Sequence, residues 1–206
     1  MVYQRKTRRT MRKRKTRTVR RRYVKKRYNK RGQKLYNFTR HIDLGLLNAD
    51  SVNPTLVAIN FNLNNLPSST EFTSLYDSYK INAVKIQFIP QMTENVSLST
   101  VNNPANARFF SVIDYNDSTA PTSINELREY QNCKMTTLLR THTRYIYKPK
   151  ILDTSSYTIS PWIATSSPSS IYRGIKVALE PMLSTITTSL AFRIEAKYYL
   201  SFKMVK

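Results

Sequence analysis

Glycine is nearly absent: the 206 residues contain only Gly32, Gly45 and Gly174. No two of them are close enough to form a phosphate-cradling turn, which excludes both a P-loop and a dinucleotide fingerprint. Cys133 is the single cysteine, so neither an internal disulfide framework nor a cysteine zinc site can form, and a reducing compartment suits the chain. No apolar run approaches the roughly 18 residues that span a bilayer, so membrane insertion is not expected. No apolar stretch follows the basic start, as a secretory signal would require. A mitochondrial presequence needs an amphipathic helix, and Val2, Met11, Val19 and Val24 are too sparse to supply an apolar face.

The means of catalysis are equally thin. The only histidines are His41, on an alternating stretch, and His142, among Arg140, Thr141 and Arg144. Both read as polar strand residues rather than bases. No Ser or Cys has the surroundings of an activated nucleophile. Asp114, Asp117, Glu126 and Glu129 lie close in sequence. They leave two readings open, a divalent cation at a subunit contact or helix capping and solvated loops, and the second is preferred. The expectation is a non-enzyme with no catalytic residue, no cofactor and no assigned metal site. The sequons at Asn37, Asn95 and Asn116 are read as chance in a chain rich in Ser, Thr and Asn.

Acid is missing from one end altogether. Residues 1–40 hold nineteen of the 34 Lys and Arg, twelve of them Arg, and the first acid is Asp43. The remaining fifteen cations face all twelve acids, so the +22 chain divides into an arm of +19 and a body of +3. Such a segment repels itself and has little to bury, so residues 1–34 are expected to be a disordered arm until a polyanion neutralises them. Residues 35–206 are expected to form one domain.

The arm is the candidate nucleic-acid site. Arg5, Lys6, Arg8 and Arg9 open it, followed by Arg12, Lys13, Arg14, Lys15 and Arg17. Arg20, Arg21 and Arg22 come next, then Lys25, Lys26 and Arg27, then Lys30, Arg31 and Lys34. Phosphate neutralisation needs no fixed spacing, and the Arg excess favours forked contacts to phosphate. Tyr23, Tyr28 and Tyr36 sit among the cations and are candidates for stacking on unpaired bases, with packing against the body as the alternative. The runs Arg12–Lys15, Arg20–Arg22 and Lys25–Arg27 also have the composition of a nuclear-localisation signal. Nothing in the arm reads base sequence, so the binding expected is non-specific, with a preference for flexible single strands.

The body alternates apolar and polar residues at period 2, as half-buried strands do. The clearest case puts Phe192, Ile194, Ala196, Tyr198, Leu200 and Phe202 on one face, and Arg193, Glu195, Lys197, Tyr199, Ser201 and Lys203 on the other. Other strands are expected near 36–44, where Arg40 breaks the pattern, and over 55–62, 80–92, 108–114, 135–147, 157–164 and 171–179. Short helices are expected from Ser69 or Thr70 to about Tyr76, and from a Ser123 cap, with Glu126 in capping-box position, to about Tyr130. About eight antiparallel strands with long loops indicate a β-sandwich or jelly roll, with an immunoglobulin-like sandwich as the alternative. Fourteen Tyr and eight Phe leave core packing and protein interfaces both open as their use.

Several segments, in order, resemble the capsid proteins of circovirus-like viruses, whose circular single-stranded DNA encodes a replication initiator. They are Tyr76–Pro90 (YDSYKINAVKIQFIP), Ser111–Tyr115 with the helix after Ser123, Arg144–Lys150 (RYIYKPK), Tyr172–Leu179 and Lys197–Lys203. The resemblance implies an all-β fold, a single eight-stranded antiparallel jelly roll of viral capsid type. It also implies an icosahedral T=1 shell of sixty copies with the arm turned inward on a single-stranded DNA genome. Import receptors would take the protein to the host nucleus, and the virion would attach to an unidentified host receptor. A ribosomal or other RNA-binding protein with a basic tail is the alternative. It would be expected to carry basic patches on its body as well. An enzyme on a β-sandwich is the third reading, disfavoured by the poverty of His, Cys and Gly.

Overall fold

The alternation read from the last strand recurs wherever a long strand forms. The computed structural model describes residues 34–91, 107–153, 156–159, 161–182 and 190–205. In chain order the strands are β1 (Leu35–Asn48), β2 (Thr55–Phe61), β3 (Tyr76–Pro90) and β4 (Arg108–Ile113). They continue with β5 (Lys134–Thr137), β6 (His142–Tyr147), β7 (Lys150–Asp153) and β8 (Ser156–Ile159). The last three are β9 (Ile163–Ala164), β10 (Tyr172–Leu179) and β11 (Ala191–Val205). The helices are α1 (Ser69–Leu75) and α2 (Ile124–Glu129).

All pairings are antiparallel. One sheet runs β1-β11-β3-β6, with the short β9 also paired to β3. In the other, β10 lies between β2 and β4, and β5 pairs with β4. The β7–β8 pair touches β10 only where Tyr172 faces Ile151. With β7–β9 set aside as an insertion, the first, eighth, third and sixth strands make one sheet. The second, seventh, fourth and fifth make the other. That interleaving is the jelly roll, as expected, and not an immunoglobulin-like sandwich.

The inner faces meet in one core. Tyr79, Ile81, Val84, Ile86 and Phe88 of β3 and the even-numbered residues Phe192–Phe202 of β11 pack against Phe61, Phe109, Tyr172, Ile175, Val177 and Leu179 of the second sheet. Large aromatics fill the gap: Tyr79, Tyr172 and Tyr198 are fully buried. Each phenol keeps a polar partner, as buried tyrosines must. Tyr79 donates to the Ser167 carbonyl (3.1 Å), Tyr172 to the Pro161 carbonyl (3.5 Å), and Tyr198 accepts from Asn65 Nδ2 (3.5 Å). Gly174 is needed on β10 because a Cβ there would run into the Ile59 carbonyl and lie 2.6 Å from the Phe61 ring.

Several expectations need correction. The stretch 135–147 is not one strand. It turns after Thr137, where the Arg140 amide bonds back to the Thr137 carbonyl (3.2 Å), and it supplies a strand to each sheet. The expected strand at 157–164 is interrupted at Pro161, which lacks an amide for a ladder, and its pieces belong to the insertion. The α1 cap is Ser68, in a left-handed conformation with no side-chain cap bond, rather than Ser69 or Thr70. At α2 the Ser123 hydroxyl does accept from the Glu126 amide (3.2 Å), but the Glu126 carboxylate turns to the Thr122 amide and hydroxyl instead of closing the box.

Candidate nucleic-acid interface

Of the arm's candidate residues, only Lys34 and Tyr36 lie among the described residues. Arg5 through Arg31, with Tyr23 and Tyr28 and all the nuclear-localisation runs, lie outside them. β1 begins at Leu35, opposite Lys203 of β11, and is an edge strand of its sheet among the described residues. The Tyr36 ring is half-buried 5.3 Å from that of Tyr76, and the Lys34 ammonium lies 5.1 Å from its centroid. This is the packing alternative for Tyr36.

The rest of the β1 root is aromatic. Phe38 meets Phe72 of α1 edge-on (5.4 Å), Phe72 stacks on Phe202 (4.7 Å), and Tyr76 closes on Phe202 (5.0 Å). Arg40 breaks the alternation because its guanidinium lies 5.2 Å from the centre of Phe72 and 5.8 Å from that of Phe38. A cation over an aromatic face is stabilised there, so an inward-side arginine is tolerated where a second core aromatic would be expected.

Three of the four acids read as a loose cluster, Asp114, Asp117 and Glu126, are organised by a residue that sequence reasoning passed over, while Glu129 is exposed at the end of α2. Lys176 of β10 is buried, its ammonium 2.7 Å from Asp117, 3.3 Å from Asp114 and 3.6 Å from Glu126. It lies on the outer face of its sheet, which α2 covers through Leu127 against Phe110, Val112 and Ala178. Tyr130 donates to Asp114 Oδ2 (3.2 Å). Burial opposes the charge on Lys176, but its bonds to Asp117 and Asp114 more than compensate and raise its pKa. Asp117 is drawn well below the usual carboxylate range by Lys176 and Thr119, and Glu126 is lowered by its bonds to Thr122. A lysine thus occupies the centre where a divalent cation was considered. No group of acids, histidines and cysteines among the described residues is arranged to hold a metal.

His142 of β6 is fully buried between the sheets. Its Nε2 meets Ser111 Oγ at 2.6 Å, its Nδ1 meets Thr136 Oγ1 at 2.8 Å, and its ring stacks on Phe109 at 4.5 Å. Burial, assisted by the charges of Lys134 and Arg144, lowers its pKa from 6.5 to about 3. A neutral imidazole so enclosed joins β4, β5 and β6 and has no access to a substrate. Because the folded pKa is depressed, its contribution is fully present above pH 6.5 and declines as pH falls from there toward 3. Between pH 6.5 and 5, where carboxylates barely titrate, unfolding free energy should fall by up to about 1.4 kcal/mol per pH unit. Urea denaturation at several pH values checks this: His142→Gln, which keeps polar contacts without titrating, should flatten the slope over that interval. An equal slope in both proteins would exclude His142 as its source.

The family described as circovirus capsid protein matches residues 3–206. No curated protein sequence matches the chain. Among solved structures, the 60-mer BFDV capsid protein superposes with a TM-score of 0.58 at 14% identity, covering 84% of this chain and 95% of that one. The decameric BFDV capsid protein gives 0.56 at 13% identity, covering 83% and 100%. Cucumber Necrosis Virus also gives 0.56, at 15% identity, covering 84% of this chain and 57% of its own.

Proposed function

The chain belongs to the circovirus capsid protein family, a structural and not an enzymatic one, and we propose that it assembles sixty copies into a T=1 shell that packages single-stranded DNA on residues 1–34. The observation that carries this reading is the extent of the family match, which takes in the basic arm and the jelly roll together. Among the relatives, the BFDV capsid protein forms a 60-mer and a decamer. A body of low net charge is compatible with close packing of copies. Arg40 is engaged on Phe72, which leaves eighteen arm cations per chain. Sixty arms then carry 60 × 18 = 1080 positive charges, enough to neutralise on the order of a thousand phosphates.

The same basic runs would engage import receptors and bring the protein to a host nucleus. The outward loops would carry attachment to a host receptor. Electron microscopy of the purified full-length protein, with and without single-stranded DNA, tests the assembly reading. Small uniform icosahedra are the expected outcome. A protein that stays monomeric under both conditions would sink it.

A further inference from the structure

The outer face of the β1-β11-β3-β6 sheet carries an arrangement that fold stability does not explain. In register across the sheet, His41, Lys197, Lys85 and Tyr145 stand side by side on four neighbouring strands. Lys197 and Lys85 are thus direct cross-strand partners, and like charges in that relation are destabilising. The adjacent row is Thr39, Tyr199, Ala83 and Tyr147. Lys80 follows on β3, opposite Ser201 of β11, and burial, assisted by the charge of Lys148, lowers its pKa. None of the described ion pairs includes Lys80, Lys85, Lys197 or Lys203.

The cations are interleaved with aromatic rings. Lys148 lies 4.9 Å from the centre of Tyr147, Lys197 5.6 Å from that of Tyr199, and Lys203 4.7 Å from that of Trp162. Tyr145 meets Tyr199 edge-on at 6.0 Å. Tyr145 and Tyr147 are 51% and 58% exposed, unusual for large rings on an edge strand. On β1 and β11 the acids of this face are Asp43, already paired with Arg193 at 2.7 Å, and Glu195. Unpaired cations alternating with exposed rings are what a flexible single strand requires: ammonium groups for phosphate and ring faces for unpaired bases. The arm leaves from the edge strand of this same sheet.

We propose that this face is a second nucleic-acid site, built into the jelly roll, on which unpaired bases stack against Tyr145, Tyr147 and Tyr199 while Lys85 and Lys197 hold the phosphates. The proposal rests on the single-strand packaging reading and extends it from the arm to the folded body. Photo-crosslinking tests it, using the full-length protein and a 20-nucleotide oligodeoxythymidine substituted with 5-iodouracil, with the adducts mapped by peptide mass spectrometry. Adducts are expected on the peptides 145–148 and 198–203 as well as on the arm. A duplex of equal length should label the arm alone, because its bases are already stacked. Lys85→Glu with Lys197→Glu should cut the body adducts at least tenfold and leave the arm adducts unchanged. Lys85→Gln with Lys197→Gln, a milder surface change, should act in the same direction. Adducts confined to residues 1–34 would overturn the proposal and leave arm-driven packaging standing. Absence of any adduct would overturn both. Peptides 145–148 and 198–203 that are shielded in assembled particles yet never labelled would overturn it too, and would assign the face to contact between copies.

Discussion

Removing residues 1–34 should abolish DNA packaging while leaving a folded body that still forms empty shells. The cut falls before Leu35, the first residue of β1, so every strand and its register survive. The loss should be large because phosphate binding scales with the counterions released. A protein making six to ten phosphate contacts loses about 10³–10⁵ in affinity between 50 and 200 mM salt, and this arm offers eighteen cations. The full chain should therefore show a steep fall in single-strand affinity with salt. The truncated chain should bind weakly with a log–log slope no steeper than about −3.5, about 0.7 for each of Lys80, Lys85, Lys148, Lys197 and Lys203 that meets a phosphate. Fluorescence anisotropy across a salt series gives both slopes, and absorbance of purified particles gives the packaged DNA. Truncated particles holding as much DNA as intact ones would remove the arm from its assigned role.

Lys176→Met should be among the most damaging single substitutions in the body, at about 3–5 kcal/mol, because breaking a buried ion pair leaves the partner charges without compensation. Asp114 is 6% exposed and has Lys176 as its only ion-pair partner among the described residues. The pH dependence separates this from simple loss of packing. Asp117 and Glu126 have depressed pKa values in the fold, so in the native protein their contribution is present above the ordinary carboxylate pKa. It is lost as pH falls through the folded values. In Lys176→Met, protonation removes an uncompensated charge, and the gap between the two proteins should narrow on going from pH 7 to pH 4. Guanidinium denaturation at both pH values measures it; a gap that stays constant would show that volume, and not charge, caused the loss.

The strands were legible wherever one face meets the core and the other meets solvent, because period 2 is then imposed directly on the residue order. β11 and β3 are the plain cases. The turn between β5 and β6 was not legible. Leu138, Leu139, Arg140 and Thr141 contain no Gly, Pro, Asn or Asp, so no turn-forming residue marks the bend. Lys176 was invisible for a different reason: on a strand it reads as an ordinary outward lysine, and only α2, folded across that face, buries it. The basic row of β11 was visible as a face, but not its opposition to Lys85, since register joins residues more than a hundred positions apart.

By itself, the order of residues determined the segregation of charge into an arm, the β class and the absence of the usual catalytic equipment. These follow from composition and local period, which act over a few residues. The tertiary structure alone decided which acids share Lys176, that His142 is held neutral between the sheets, and that scattered lysines and tyrosines assemble into one face. Burial and cross-strand register set those outcomes, and both exist only once the two sheets have closed on each other.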